Sequence, residues 1–369
     1  MDGGMESFMK NVHGGDIYRY EKPVVDFSAN INPLGTLESV KETIRQSIET
    51  IGQYPDPFCR KLREQLAKHH DIAVQQVICG NGAADLIYRL VAALRPKHAL
   101  VLAPCFAEYE EALLFYGAKV ERYALDRRDF CLKTDILDRL TEELDLVCLC
   151  NPNNPTGITV DASLLHSICE RAKEKQIFVL LDECFLDFTE KEKSDTFIKK
   201  SALFPNLFLL RAFTKMYAVA GIRLGYGICK DESLLERMYQ AGPPWSVSVL
   251  AQAAGSAALQ AANFQEESRA YIKRERTYLY QALERIGVTY WKSEANFILF
   301  QSRTDLKERL LEEGILIRDC SNYHNLTKGY FRIAVKNHAE NQRLIQAMEK
   351  ILISSEQRKQ VLEQTTREE

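Results

Sequence analysis

The sequence predicts an α/β protein: a large domain built on a mostly parallel sheet covered by helices, with a smaller α+β domain. Three observations carry that reading. From Val77 onward, short apolar runs alternate with longer segments whose apolar residues recur at helical spacing. Most of the short runs are apolar throughout and leave no wet face, as in parallel strands buried on both sides. Toward the end the character changes, and a long charged helical stretch over 266–286 leads into alternating segments.

Taken in order, Val77-Ile78-Cys79 reads as a strand and Gly80-Asn81-Gly82 as the turn that follows it. Ala83, Leu86, Ile87, Leu90, Val91 and Leu94 then fall at helical spacing. Further strands are expected over 99–103, 119–125, 146–150, 177–181, 207–210 and 224–229, and in the smaller unit over 295–300 and 330–335. The stretch 354–369 is polar and charged, and reads as a helix end or a loose tail. There is no internal repeat and no low-complexity linker. The expected division is an N-terminal segment 1–45 that joins the small domain, a large domain 46–262, a small domain 263–353 and a tail 354–369.

Composition narrows the function. Of 369 residues 46% are hydrophobic, and 48 Lys+Arg against 51 Asp+Glu leave a net charge of −3. With a pI near 6.2, this argues against a nucleic-acid binder held by phosphate neutralisation. No apolar run approaches the ~18 residues of a membrane helix, and the start lacks the basic and apolar regions of a signal peptide, so no membrane association and a cytoplasmic location are expected. The ten cysteines are scattered without a C-x-x-C pair, and Cys79, Cys148, Cys150 and Cys229 lie in apolar runs. They read as reduced structural thiols, and no metal is expected.

Four elements carry chemistry. The turn at Gly82-Ala83 opens a helix, whose unpaired N–H groups suit an anion, although taken alone a tight structural turn is the simpler reading. Asn151-Pro152-Asn153-Asn154-Pro155-Thr156-Gly157 follows an apolar strand, and its prolines and asparagines define a rigid loop at the sheet edge where α/β ligands bind. Asp182 ends another apolar strand. A charge buried there is costly unless paired, so it caps a helix or faces a cation or a protonated ring nitrogen. Finally, Lys215 follows Phe213-Thr214, where partial desolvation makes an amine nucleophilic, and Arg223 offers a planar fork suited to phosphate.

The order of these elements resembles that of the fold-type I pyridoxal-phosphate enzymes, the aspartate aminotransferase superfamily, over nearly the whole chain. The resemblance implies an aspartate-aminotransferase-like fold with pyridoxal 5'-phosphate as cofactor, bound to the large domain. It implies that Lys215 carries the cofactor covalently, Asp182 pairs with its ring nitrogen, Asn154 bonds its phenolic oxygen and Phe106 stacks on the ring. Gly82, Ala83, Thr214 and Arg223 would hold the phosphate. Tyr54, in Tyr54-Pro55-Asp56-Pro57, would reach the cofactor phosphate of a partner subunit, implying a homodimer with shared sites. Arg332, in Tyr330-Phe331-Arg332-Ile333-Ala334-Val335, would clamp the substrate α-carboxylate.

Two branches compete, histidinol-phosphate aminotransferase and the L-threonine-O-3-phosphate decarboxylase of cobalamin biosynthesis. His13-Gly14-Gly15 and Asp26-Phe27-Ser28-Ala29-Asn30-Ile31-Asn32-Pro33-Leu34-Gly35 are similar to the decarboxylase. So is Asp182-Glu183-Cys184-Phe185-Leu186-Asp187-Phe188, in which Phe185 replaces the tyrosine common in aminotransferases; Ala212 likewise replaces a Ser or Thr. The resemblance therefore implies decarboxylation of a small phosphorylated amino acid, phosphothreonine, with phosphoserine as a further substrate. His13, Gly14, Asn32, Arg318 and Arg332 are then the expected substrate residues, with His13 and Arg318 closing on its phosphate. The alternatives are a transaminase of the histidinol-phosphate type and a non-catalytic protein of the same fold, the latter disfavoured by the full set of cofactor residues.

Overall fold

In the computed structural model, residues 13–190, 196–261 and 263–352 are described; the first twelve residues of the N-terminal segment and the expected tail 354–369 lie outside them. After a short strand β1 (Val25–Asp26), seven strands form one sheet: β2 (Val77–Gly80), β3 (His98–Ala103), β4 (Lys119–Ala124), β5 (Leu146–Cys150), β6 (Phe178–Asp182), β7 (Leu207–Ala212) and β8 (Gly225–Cys229), in the order β2-β8-β7-β6-β5-β3-β4. The run from β4 to β7 is parallel, and β8 is antiparallel to both β7 and β2. The expected mostly parallel sheet is therefore present.

Its apolar runs are explained by its two covered faces. Val147 and Leu149 of β5 join a core cluster on one side, and Leu146, Cys148 and Cys150 join another on the opposite side; β7 divides the same way, with Leu207 and Leu209 against Phe208 and Leu210. Period-2 alternation thus persists, but both faces need apolar side chains. At one edge the sheet meets water: β4 exposes Lys119, Arg122 and Ala124. Helices supply the cover. In Ala83–Leu94 the residues Leu86, Ile87, Leu90 and Val91 are completely buried, and Ala162–Glu174 is capped by Asp161, whose carboxylate accepts the N–H of Ser163 and Leu164 at 2.9 and 3.1 Å.

The 22-residue helix Phe264–Arg285 leads into the second unit. There β9 (Thr289–Tyr290), β10 (Phe297–Gln301), β11 (Ile315–Leu316), β12 (Arg318–Asp319) and β13 (Tyr330–Ala334) follow, and four of them form an antiparallel sheet in the order β12-β13-β10-β9. The remaining strand, β11, pairs in parallel with β1, Val25 beside Ile315.

One buried ionic network stands behind the central strands. Arg211 on β7 is 1% exposed, donating from Nη1 to Asp187 Oδ1 at 2.6 Å and from Nε to Glu183 Oε2 at 3.1 Å. Burial pushes the Glu183 carboxyl above its ordinary value, and the guanidinium pulls it back. Removing one partner of such a cluster leaves an uncompensated charge, at about 3–5 kcal/mol. Arg211→Met is therefore expected to lower the urea unfolding free energy by several kcal/mol; a midpoint equal to that of the parent protein contradicts this account.

Candidate active site

Parallel strands finish at one sheet edge, and β8, running the other way, starts there. The loops after β3, β5, β6 and β7, the helix after β2 and the residue before β8 therefore converge. They line a cavity of 310 Å³ containing Ala83, Phe106, Asn154, Asp182, Thr214, Lys215 and Arg223, a volume at the lower end of small-molecule sites, about 300–1,000 Å³. Arg332, His13 and Gly14 close it from the other unit and the N-terminal segment. Gly82 adjoins this wall with φ +84°, and a Cβ there would stand 2.5 Å from Arg223 Nη2. Only glycine lets the guanidinium lie against the helix N-terminus.

The asparagine–proline loop is internally braced. Asn153 donates from Nδ2 to Pro104 O at 3.0 Å, Gly157 N–H to Asn153 O at 2.6 Å, and Val160 N–H to Asn151 Oδ1 at 2.9 Å. This leaves Asn154 aimed into the cavity, its Oδ1 accepting from Arg332 Nη1. Arg332 also donates from Nη2 to Ser28 O at 2.9 Å and lies 5.4 Å over the Phe297 ring. Its Nε is buried without a partner, the position of a donor kept for an anion.

Lys215 and Asp182 are tuned in opposite senses. Burial lowers the Lys215 ammonium to about 8, and the Arg332 guanidinium pushes the same way. Its Nζ stands 5.7 Å over the Phe185 ring. Burial raises the Asp182 carboxyl, while hydrogen bonds from Cys184 and Tyr109 oppose the shift: Cys184 N–H reaches Oδ1 at 2.8 Å and Tyr109 Oη–H reaches Oδ2 at 2.6 Å. A buried carboxylate, a near-neutral amine and an arginine beside a helix N-terminus suit a phosphorylated cationic ring that also forms a covalent bond with an amine. Pyridoxal phosphate fits that description.

Other expected residues lie elsewhere. Asn32 is not in the cavity wall; its Nδ2 donates to Met216 O and Ser268 Oγ, both at 2.7 Å, and its N–H to Lys215 O at 3.2 Å. Because its donors are engaged behind the lysine, it braces Lys215 instead of facing a substrate. Tyr54 is 81% exposed and packs on Trp245, ring centroids 4.8 Å apart, outside this chain's cavity. His13 pairs with Glu108, Nε2 to Oε1 2.8 Å, and with Glu111 they form the one histidine–carboxylate group among the described residues whose ligand atoms lie within 4.8 Å. Arg318 donates to Asn322 Oδ1 at 2.8 Å and lies 5.3 Å over Tyr323. His13 and Arg318 share the wall of a small recess that also takes in Gly14 and Ser28. Several cavity residues escaped the sequence reading, among them Glu108, Tyr109 and Tyr323. Tyr109 is one helical turn beyond Phe106, a spacing that could have revealed it. Asn30, whose buried Oδ1 has no partner, lies in the motif over 26–35, and it, not Asn32, is the asparagine of that motif that lines the cavity.

Comparison with known proteins agrees with this arrangement. The family described as aminotransferase class I and II matches residues 22–348. A threonine-phosphate decarboxylase of Salmonella typhimurium is 37% identical over 94% of this chain and 98% of its own length. Among solved structures, a histidinol-phosphate aminotransferase from Clostridium acetobutylicum superposes with a TM-score of 0.83 at 30% identity, over 88% of this chain and 98% of that one. An L-threonine-O-3-phosphate decarboxylase from Porphyromonas gingivalis gives 0.78 at 28%, over 89% and 99%.

With its folded value near 8 instead of the usual 10.5, Lys215 is mostly a free amine above pH 8. In cofactor-free protein its acylation, followed by mass spectrometry, is expected to be half-maximal near pH 8, and Arg332→Gln is expected to move that midpoint upward by removing a cation. A midpoint near 10.5 in the parent protein contradicts the assigned environment.

Proposed function

Because the chain belongs to the aminotransferase class I and II family, we propose that it is a pyridoxal-phosphate-dependent decarboxylase of L-threonine O-3-phosphate, releasing CO₂ and leaving (R)-1-amino-2-propanol O-phosphate. The observation that carries this reading is the 37% identity, spanning nearly both chains, to a protein named threonine-phosphate decarboxylase. A transaminase of the histidinol-phosphate type is the second reading, favoured by the likeness to the Clostridium acetobutylicum structure.

Bound in the cavity, the cofactor supplies an electron sink conjugated to the substrate's Cα. The residues divide the remaining work. Arg223, Thr214 and the N–H groups at Gly82-Ala83 hold the cofactor phosphate. Phe106 would cover the cofactor ring, Asp182 would pair with its nitrogen, and Asn154, whose oxygen is taken by Arg332, would offer its N–H₂ to its phenolic oxygen. Lys215, an amine of lowered basicity, would hold the cofactor covalently and would be freed for proton transfer when the substrate amine takes its place. Arg332 directs Nε at the substrate α-carboxylate, and Arg318 with His13 takes the substrate phosphate. His13 exchanges Glu108 for that anion. Held at both ends, the substrate has its Cα–carboxylate bond oriented for cleavage. When that bond breaks and CO₂ leaves, its electron pair would remain with Cα, and Lys215 in its ammonium form would supply the proton that Cα takes up. Phosphoserine lacks only one methyl, a difference of ~1–3 kcal/mol in a pocket, and is the second substrate this reading expects.

We further infer a cytoplasmic homodimer. Free thiols at all ten cysteines suit a reducing compartment, and no helix among the described residues is long and apolar enough to cross a membrane. Exposed Ile48, Ile51, Tyr54, Phe58 and Trp245 form the surface assigned to the second copy, whose cofactor phosphate Tyr54 would reach.

The direct test is incubation with phosphothreonine: CO₂ release without added 2-oxoglutarate is expected, and a strict need for a keto acid supports the transaminase instead. Arg318→Ala is expected to lower kcat/KM for phosphothreonine by about 30-fold to several thousand-fold, from ~2–5 kcal/mol for an unpaired buried charge, while cofactor content stays unchanged. An unchanged kcat/KM, or a loss that tracks lost cofactor content, reverses that assignment. Sedimentation is expected to give a dimer; a fully active monomer removes the shared-site reading.

A further inference from the structure

The geometry points to Tyr109 as a positioning residue of the reaction: its hydroxyl fixes Asp182 and keeps that carboxylate from capturing the proton it shares with the cofactor's ring nitrogen. This rests on the role proposed above for Asp182.

Tyr109 is completely buried, and its O–H donates to Asp182 Oδ2 at 2.6 Å. The other carboxylate oxygen accepts Cys184 N–H at 2.8 Å and the Cys184 thiol also bonds the carboxylate, so the plane of the group is set from two sides. Tyr109 stands on the first turn of the helix Ala107–Phe115, immediately after Phe106, and the two rings meet edge to face with centroids 5.7 Å apart. One helical turn therefore places both the side chain assigned to the cofactor's ring face and the brace of the carboxylate assigned to its nitrogen. Burial and the neighbouring carboxylate hold the phenol far above its ordinary ionisation range, so it remains a donor.

The consequence is chemical. A carboxylate that already accepts these hydrogen bonds binds a further proton less well. Between Asp182 and the ring nitrogen the proton then rests on nitrogen, the state in which the ring withdraws electrons most strongly. Without the hydroxyl, Oδ2 loses the hydrogen bond that Tyr109 donates, and the proton moves toward Asp182. A merely structural tyrosine would affect stability and leave the position of this proton unchanged.

The experiment compares parent and Tyr109→Phe holoenzymes by the visible absorption of the bound cofactor titrated against pH, by kcat and KM for phosphothreonine, and by thermal unfolding. A displaced absorption midpoint, a kcat lowered about tenfold or more and a nearly unchanged KM are expected. In an Asp182→Asn background the same substitution is expected to change the spectrum and kcat less than about twofold, because the effect passes through the carboxylate. An unchanged titration in Tyr109→Phe, or an equal loss in the Asp182→Asn background, overturns the proposal. If Tyr109→Phe does not fold, site-specific fluorotyrosine at 109 keeps the ring and alters only the acidity of the hydroxyl; the same shift supports the proposal and its absence rejects it. Absence of CO₂ release by the parent enzyme would defeat the decarboxylase reading alone, since the spectral titration needs no turnover.

Discussion

Two successive carboxylates at the end of β6 set the terms for the rest of the molecule. Asp182 and Glu183 point to opposite sides of the sheet, as neighbours in a strand must, and both are buried. Each needs its own compensation, because an isolated buried charge is strongly unfavourable. Glu183 is met by Arg211, and Asp182 by the hydrogen-bond donors of Tyr109 and Cys184. The β6–β7 register, with Asp182 beside Leu210, places Arg211 on the structural side and carries the chain on to Lys215 on the cavity side. One strand pairing therefore positions the ionic core and the reactive amine together.

Arg332 performs a comparable joining role across the cavity. It projects from β13, donates to Asn154 of the large unit and to the Ser28 carbonyl of the N-terminal segment, and depresses the Lys215 ammonium. The residue assigned to the substrate carboxylate is thus coupled to the amine that the substrate must displace. Occupation of Arg332 by an anion would reduce its effect on Lys215, so substrate arrival and amine protonation are electrostatically linked.

The sheet was legible in the sequence because buried parallel strands have a plain signature: 146–150 coincides with β5, and the other strand expectations end within a few residues of those observed. The asparagine–proline loop, Asp182 and Lys215 were legible for a related reason. Unusual residues at strand ends are few, and the topology brings strand ends together. Asn32 was misplaced because its motif marks the right segment without revealing which side chains turn inward; its amide braces the backbone carbonyl of Met216 and not a ligand. Tyr109 was overlooked because an apolar helix uses aromatic residues freely, and only the distance to Asp182 separates a packing residue from a polar partner. The pairing of His13 with Glu108 depends on a contact between distant segments that no local pattern encodes.

The parallel pairing of β1 with β11 has a consequence for how the protein is made. Val25 and Asp26 leave the ribosome early, whereas their partners Ile315 and Leu316 emerge only after the whole seven-stranded sheet has been synthesised. The N-terminal segment must therefore wait, unpaired, while the larger unit folds behind it. Ser28 and Asn30, which line the cavity, wait with it. Such a distant contact carries a high loop-closure cost and forms late. A nascent chain can thus complete its central sheet with the cavity still open, and the chamber is finished by the first and last parts of the chain meeting.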